Sequence, residues 1–240
     1  MGKAGLMHSS IISVVIPAYN EQHTIGQTIS DTILTMDSLK MPYEIIVIND
    51  GSTDDTARIA SKYKATILSN DKNQGKGYAL RKGFQHAQGD IVITIDSDGA
   101  HKPKEIPDLI QPLFNGVDVV AGSRYLGGRM NTTTRVHRIG NAMFNLIIMT
   151  LTGRQITDSQ SGFRAFKKEV LQKINLQSMG YDIEVEMTVK SLKNGFVFQE
   201  KPIFCEKRKY STSKLRILQD GMRIFKAIIK SNFSPITHDS

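Results

Sequence analysis

The sequence contains no tryptophan, a single cysteine, seven prolines and no uninterrupted apolar stretch of membrane-spanning length. Cys205 alone cannot close an internal disulfide, so a disulfide-stapled secreted scaffold is excluded and a reducing compartment suits the chain. A bilayer crossing needs about 20 apolar residues, and the best run, Ile139 to Leu151, is broken by Asn141 and Asn145. The apolar opening Ile11 to Ile16 runs straight into Pro17-Ala18-Tyr19-Asn20-Glu21, which argues against a secretory signal. Leu6 stands where a myristoylation signal wants Ser or Thr. His101 and His137 have no partners at zinc-ligand spacing, and no Ser-His-Asp order or activated cysteine is present.

What is present is a chain of 240 residues, 40% hydrophobic, enough to bury a sizeable core and to exclude a disordered polymer. The formal charge of +8 points to an anionic partner. It is unevenly placed: residues 1–120 carry a net −3, residues 121–200 a net +5 and residues 201–230 a net +7. A nucleic-acid binder would not have an acidic first half, so no nucleic-acid partner is expected.

The first half alternates short β-branched runs with amphipathic ones, the rhythm of a parallel sheet covered by helices. Strands are expected at Ile12 to Ile16, Glu44 to Asn49, Ala65 to Ser69, Ile91 to Asp96 and Val117 to Ser123, with helices starting near Glu21, Thr53, Gly75 and Lys104. In such sheets the carboxyl ends of the strands carry the ligand site. That rule collects Pro17 to Glu21, Asn49-Asp50-Gly51-Ser52 and Asp96-Ser97-Asp98 along one edge. Beyond Ser123 the alternation lapses into a loop (Arg124 to Thr134), a helix (Arg135 to Leu151), the segment Asp158 to Arg164, a helix (Asp182 to Leu192), a strand (Phe196 to Phe204) and a final helix (Lys214 to Lys230). No linker interrupts the chain. One domain over 11–233 is expected, between a flexible 1–10 and a tail 234–240, with a first half 11–123 and a second half 124–233.

Asp96-Ser97-Asp98 sets two carboxylates where a buried strand ends, a donor pair for a hard cation such as Mg²⁺ or Mn²⁺; a capped turn explains the same residues in isolation. Ala100 and His101 exclude an EF-hand. Asp50 either caps a turn or faces a base or ribose. Asn73-Gln74-Gly75-Lys76-Gly77 has the glycines and lysine of a phosphate cradle at a helix start, and equally reads as a Gly-rich turn with a solvated lysine. It is no P-loop, because Gly77 and Asn70 replace residues that motif requires. In the final helix Leu215, Leu218, Met222, Phe225 and Ile229 form one apolar face bordered by Arg216, Arg223, Lys226 and Lys230, for packing on the core or lying on anionic lipid. Phe163 and Phe166 read as core aromatics, Arg164 as a surface ion pair, and Glu184 and Glu186 as a solvated helix edge.

Taken together, Val14 to Glu21, Ile48 to Asp54, Asn73 to Gly77 and Asp96 to Gly99 resemble the donor-binding half of family 2 glycosyltransferases. Gly122-Ser123-Arg124-Tyr125, Asp158 to Arg164, Glu184 to Met187, Arg208 and Ser213-Lys214-Leu215 make the second half similar to the dolichyl-phosphate and polyprenyl-phosphate sugar synthases. The resemblance covers about residues 11–231. It implies an α/β fold of glycosyltransferase A-type, a Rossmann-like and mostly parallel sheet with helices on both faces and a C-terminal amphipathic elaboration. It also implies a nucleotide-sugar donor, inversion at the anomeric carbon, Mg²⁺ or Mn²⁺, and a dolichyl or polyprenyl phosphate acceptor.

Carried over by position, Pro17, Tyr19, Asn20, Glu21, Asp50, Ser52, Lys76, Asp96, Ser97, Asp98 and Ser213 bind the donor, with Asp96 and Asp98 on the metal. Arg124, Arg135 and Arg138 grip the acceptor phosphate. Asp98, Arg208, Lys214 and, for a hydroxyl acceptor, the base Asp158 form the catalytic set. Ala100 stands where the synthases usually carry Gln, Ser211 where Gly is usual and Ile139 where a Ser is expected. These departures leave UDP-GlcNAc, UDP-glucose and GDP-mannose open as donors. The expected setting is the cytoplasmic side of a membrane, by peripheral contact with anionic lipid, with a small anchoring subunit or a homo-oligomer as partner. The competing expectations are transfer to a hydroxyl acceptor and a non-catalytic nucleotide-sugar-binding subunit.

Overall fold

A computed structural model describes residues 10–128, 135–206 and 217–235. Its centre is β1 (Ile12–Ala18), whose seven residues are all buried, so the strand reads as a near-continuous apolar run, interrupted at Ser13, rather than an alternation. β1 pairs in parallel with β2 (Tyr43–Asn49) on one side and with β4 (Ile91–Thr94) on the other. β3 (Thr66–Ser69) extends the β2 edge in parallel. Beyond β4 lie β6 (Arg164–Lys167), β5 (Val119–Ser123) and β7 (Phe198–Pro202), giving the order β3-β2-β1-β4-β6-β5-β7.

β6 is antiparallel to both of its neighbours, whereas β7 runs parallel to β5. Neither β6 nor the helix that follows it is among the strands and helices expected from sequence. Only four residues pair, and their most prominent side chain is a charged one, Arg164. The parallel strands and the helices between them match the expected pattern, with ends displaced by a few residues, as at β4, which stops at Thr94.

The helices are α1 (Ile25–Leu39), α2 (Thr56–Ala60), α3 (Lys76–His86), α4 (Ile106–Ile110), α5 (Arg135–Thr152), α6 (Lys168–Lys173), α7 (Ile183–Lys193) and α8 (Ile217–Phe233). Alternation along β1 sends Val14 and Ile16 to one face of the sheet and Val15 to the other. On the first face they meet Ile29 and Met36 of α1 and Leu109 of α4; on the second, Val15 meets the cluster of Leu80 from α3 and Met187 from α7. A third apolar cluster joins α5, α7 and α8 through Phe144, Ile148, Val185, Val189, Ile224 and Ile228.

Of the two uses weighed for the apolar face of α8, packing on the core is not the one that Met222 and Phe225 show. Ile224, Ala227 and Ile228 pack inward, while Met222 is 57% and Phe225 43% exposed. Leu215 lies outside the described residues. Among the described residues no helix is long and apolar enough to cross a membrane.

Candidate functional site

The chain leaves β1 toward β2 and β3, then returns to β4 on the opposite side of β1. Such a reversal opens a crevice beyond the carboxyl ends of the strands. A cleft of about 400 Å³ lies there, within the range of small-molecule sites. Pro17, Tyr19, Glu21, Asp50, Lys76, Asp96, Ser97 and Asp98 line it. Tyr181, Asp220 and Arg223 line it too, brought from far along the chain by the loop before α7 and by α8.

Asn20 and Ser52 hold each other instead of lining the cleft. Asn20 takes a positive φ of 52°. Its backbone N–H donates to Ser52 Oγ at 3.0 Å, and its Oδ1 accepts from the N–H of Thr53 at 2.8 Å. Both ties stitch the loop after β1 to the loop after β2. Ser97 acts likewise, its hydroxyl donating to the Pro17 carbonyl at 2.8 Å. Asp50 is buried and accepts from Asn70 Nδ2 at 2.7 Å and from the N–H groups of Gln74 at 2.9 Å and Gly75 at 2.8 Å. Its carboxylate thereby shapes the loop that leads into α3.

The expected phosphate cradle at Asn73 to Gly77 is already occupied by protein. The N–H groups of Gly77 and Tyr78 both donate to the Met179 carbonyl, at 2.8 and 3.2 Å. A Cβ on Gly75 would lie 2.3 Å from that oxygen, and one on Gly77 would lie 2.4 Å from the Ser178 carbonyl. The glycines admit a close backbone approach here. Glu186 fixes the approaching loop by accepting from the N–H groups of Gln177 and Ser178.

Lys76, expected to be solvated or on a phosphate, turns inward. Its Nζ lies 2.5 Å from Asp96 Oδ1 and 2.6 Å from Glu184 Oε1. Burial alone would lower the ammonium's pKa, but the two carboxylates outweigh it and hold the pKa above the ordinary lysine range. Glu184 and Glu186 are buried rather than solvated. Burial pushes the Glu184 carboxyl upward against the opposing pull of Lys76.

Asp98 is buried, and its Oδ1 accepts from the Ala100 N–H at 2.9 Å. Beside the pair sits His101, buried and stacked on Phe163, with its Nδ1 3.8 Å from Asp96 Oδ2 and without a hydrogen-bond partner. Burial holds this imidazole below its usual pKa, against the pull of Asp96 and Asp98. Two carboxylates with an unpartnered buried nitrogen alongside fit Mg²⁺ or Mn²⁺. Among the described residues no three acidic, His or Cys groups already converge on one point. The fit is therefore to a cation that shares its coordination with phosphate oxygens. Gly162 closes this corner: a Cβ there would lie 2.7 Å from Lys76 Nζ and 2.8 Å from each Asp96 oxygen.

Two residues expected on the acceptor side are paired with each other. Asp158 is fully buried and accepts from Arg124 Nε at 2.7 Å, Arg124 Nη2 at 2.9 Å, the Arg124 N–H at 3.0 Å and the Gln160 N–H at 3.3 Å. A carboxylate so enclosed is not placed to take a proton from an acceptor. Its partner, Arg124, is correspondingly committed to a two-point ion pair that raises its pKa despite burial. Arg138 is exposed and lines a second cavity of about 410 Å³ with Tyr125, Asn145 and Met149. Arg135 begins α5, with its side chain outside the described set; Arg208, Ser213 and Lys214 lie outside the described residues. Arg164 is fully buried rather than on the surface and donates to the carbonyls of Ser159 and Ser161 and to Thr188 Oγ1. Phe163 and Phe166 are core aromatics.

Comparison with known proteins agrees with this architecture. Residues 13–175 match the family described as glycosyl transferase family 2. An uncharacterized protein of Methanocaldococcus jannaschii is 36% identical over 230 residues, 92% of this chain and 93% of its own. A dolichol-phosphate mannosyltransferase of Pyrococcus furiosus is 34% identical over 187 residues, 75% of this chain and 52% of its own, so the chain spans about half the length of that relative. The crystal structure of glucosyl-3-phosphoglycerate synthase from Mycobacterium tuberculosis with Mg²⁺ and uridine diphosphate superposes with a TM-score of 0.77 at 25% identity, over 97% of this chain and 84% of that one. The sheet with its strand-tip cleft is the glycosyltransferase A-type fold, and the chain belongs to glycosyl transferase family 2, where it resembles the polyprenyl-phosphate sugar synthases.

Proposed function

We propose that the chain is an inverting glycosyltransferase that moves a sugar from UDP-GlcNAc, UDP-glucose or GDP-mannose to dolichyl or polyprenyl phosphate while lying peripherally on the cytoplasmic face of a membrane. The observation that carries the lipid acceptor is a set of exposed apolar side chains on two helices that pack together. Ile139, Met143 and Leu146 project from α5, and Met222, Phe225 and Phe233 from α8, all exposed, with Arg138, Arg223, Lys226 and Lys230 at their borders. Apolar side chains flanked by cations suit an anionic lipid surface, where each nearby Lys or Arg contributes about 1 kcal/mol.

Pro17, Tyr19 and Glu21 would wall the nucleoside end of the cleft, and Asp96 and Asp98 would hold the cation at its diphosphate end. When bound, the cation supplies Lewis acidity to the departing diphosphate. By the family resemblance Arg208, Ser213 and Lys214 are assigned to that charge, and Arg135 and Arg138 to the acceptor phosphate. A lipid phosphate is already anionic near neutral pH and needs no strong base. The enclosure of Asp158 therefore favours it over a hydroxyl acceptor, which would need one.

The test is a screen of radiolabelled nucleotide sugars against dolichyl phosphate and, separately, 3-phosphoglycerate, each with and without Mg²⁺ or Mn²⁺. Metal-dependent label in the organic phase is expected. Label transferred only to the soluble acceptor, or to neither, overturns the lipid reading.

A further inference from the structure

We infer that Lys76 is a resident counter-cation with which a divalent metal must share Asp96, so that the nucleotide-free protein holds the metal weakly and takes it up with the donor's phosphates. The inference rests on the metal site proposed at Asp96 and Asp98. The Lys76 ammonium is fixed by two carboxylates, Asp96 at 2.5 Å and Glu184 at 2.6 Å. Its side chain is only 14% exposed, and Glu184 is buried in α7, so the group cannot swing into solvent without leaving a buried acid unpaired. Gly162 lies against both Lys76 and Asp96, where a Cβ would be 2.7 Å from Nζ and 2.8 Å from each carboxylate oxygen. One oxygen of Asp96 is therefore covered by a fixed positive charge before any metal arrives.

Two like charges beside one carboxylate repel, which lowers the affinity of that carboxylate for the second. Added phosphate oxygens restore the balance, because they bring negative charge to the cation side while Lys76 stays on its own. The lysine also lines the cleft, so a direct phosphate contact is the competing role. The two roles predict opposite outcomes when the charge is removed. Loss of a phosphate contact weakens nucleotide binding and leaves the metal affinity of the free protein alone. Loss of a counter-cation strengthens that metal affinity.

The experiment titrates Mn²⁺ into full-length protein and follows the free-ion signal by electron paramagnetic resonance, with and without UDP. Wild type should bind Mn²⁺ far more tightly when UDP is present. Lys76→Met should bind Mn²⁺ without UDP about tenfold more tightly than wild type, while Lys76→Arg, which keeps the charge, stays within about twofold. Lys76→Met leaves Glu184 unpaired, so Lys76→Met/Glu184→Gln is titrated beside it and carries the test if the single variant does not fold. Free-protein affinity unchanged or weaker in the folded variants overturns the inference alone. Absence of Mn²⁺ binding by wild type even with UDP overturns the metal site and the inference with it.

Discussion

Replacing Asp158 separates a structural carboxylate from a catalytic base. In Asp158→Asn one acceptor oxygen becomes an NH₂ group facing the Arg124 fork, which now holds Nε at 2.7 Å and Nη2 at 2.9 Å. The guanidinium keeps its charge without a counter-charge. Breaking a buried pair from one side costs about 3–5 kcal/mol. Arg124 is 21% exposed and recovers part of that from water, so the expected loss is about 3 kcal/mol, the low end of the range. For a chain of this size that lowers Tm by about 6–12 °C. Urea or thermal unfolding measures the loss, and a double-mutant cycle with Arg124→Met, in which the cation is removed too, should recover more than about 1 kcal/mol of it. The reasoning is refuted by an Asn variant that unfolds like wild type while its turnover falls a hundredfold or so, the outcome expected of a base.

Gly162→Ala should lower stability by about 1–3 kcal/mol in urea unfolding and reduce turnover about tenfold or more, since its Cβ strikes the buried Lys76–Asp96 pair; wild-type stability and turnover would contradict the packing at that corner. Gly75→Ala should destabilise by about 3 kcal/mol in urea unfolding, because a φ of 101° is strained for alanine and the new Cβ strikes the Met179 carbonyl. Arg164→Met should lower stability by about 2–4 kcal/mol, as three acceptors around the guanidinium lose their donor in the core. Met143→Glu/Phe225→Glu should abolish co-flotation with anionic vesicles while sugar-donor binding in solution persists; retained flotation would remove the membrane role of the two helices.

Much of the candidate site was legible because strand tips announce themselves. Pro17 to Glu21 and Asp96 to Asp98 each follow a β-branched run and turn polar at once, which places them on the edge where a parallel sheet binds ligands. Direction was not legible. The stem of Lys76 reaches a phosphate or a carboxylate equally well from a helix start, and the choice was made by Glu184, more than a hundred residues away. β6 is not legible because four residues headed by arginine carry no strand pattern, and Arg164 is tolerated in the core only through acceptors on the 159–161 loop and α7.

The sequence by itself determined the class of fold, the family resemblance and the carboxylates at the strand ends, all of which depend on local order: alternation, turn residues, and charge just beyond an apolar run. Tertiary structure decided what each polar group faces. Asp158 became a counter-ion rather than a base, the glycines of the 73–77 segment became room for the Met179 carbonyl rather than for a phosphate, and α8 buried Ile224 and Ile228 instead of Met222 and Phe225. The physical reason is common to all three. A buried polar atom or apolar stripe must find its complement, and that complement is supplied by whichever distant segment the fold brings within a few ångströms.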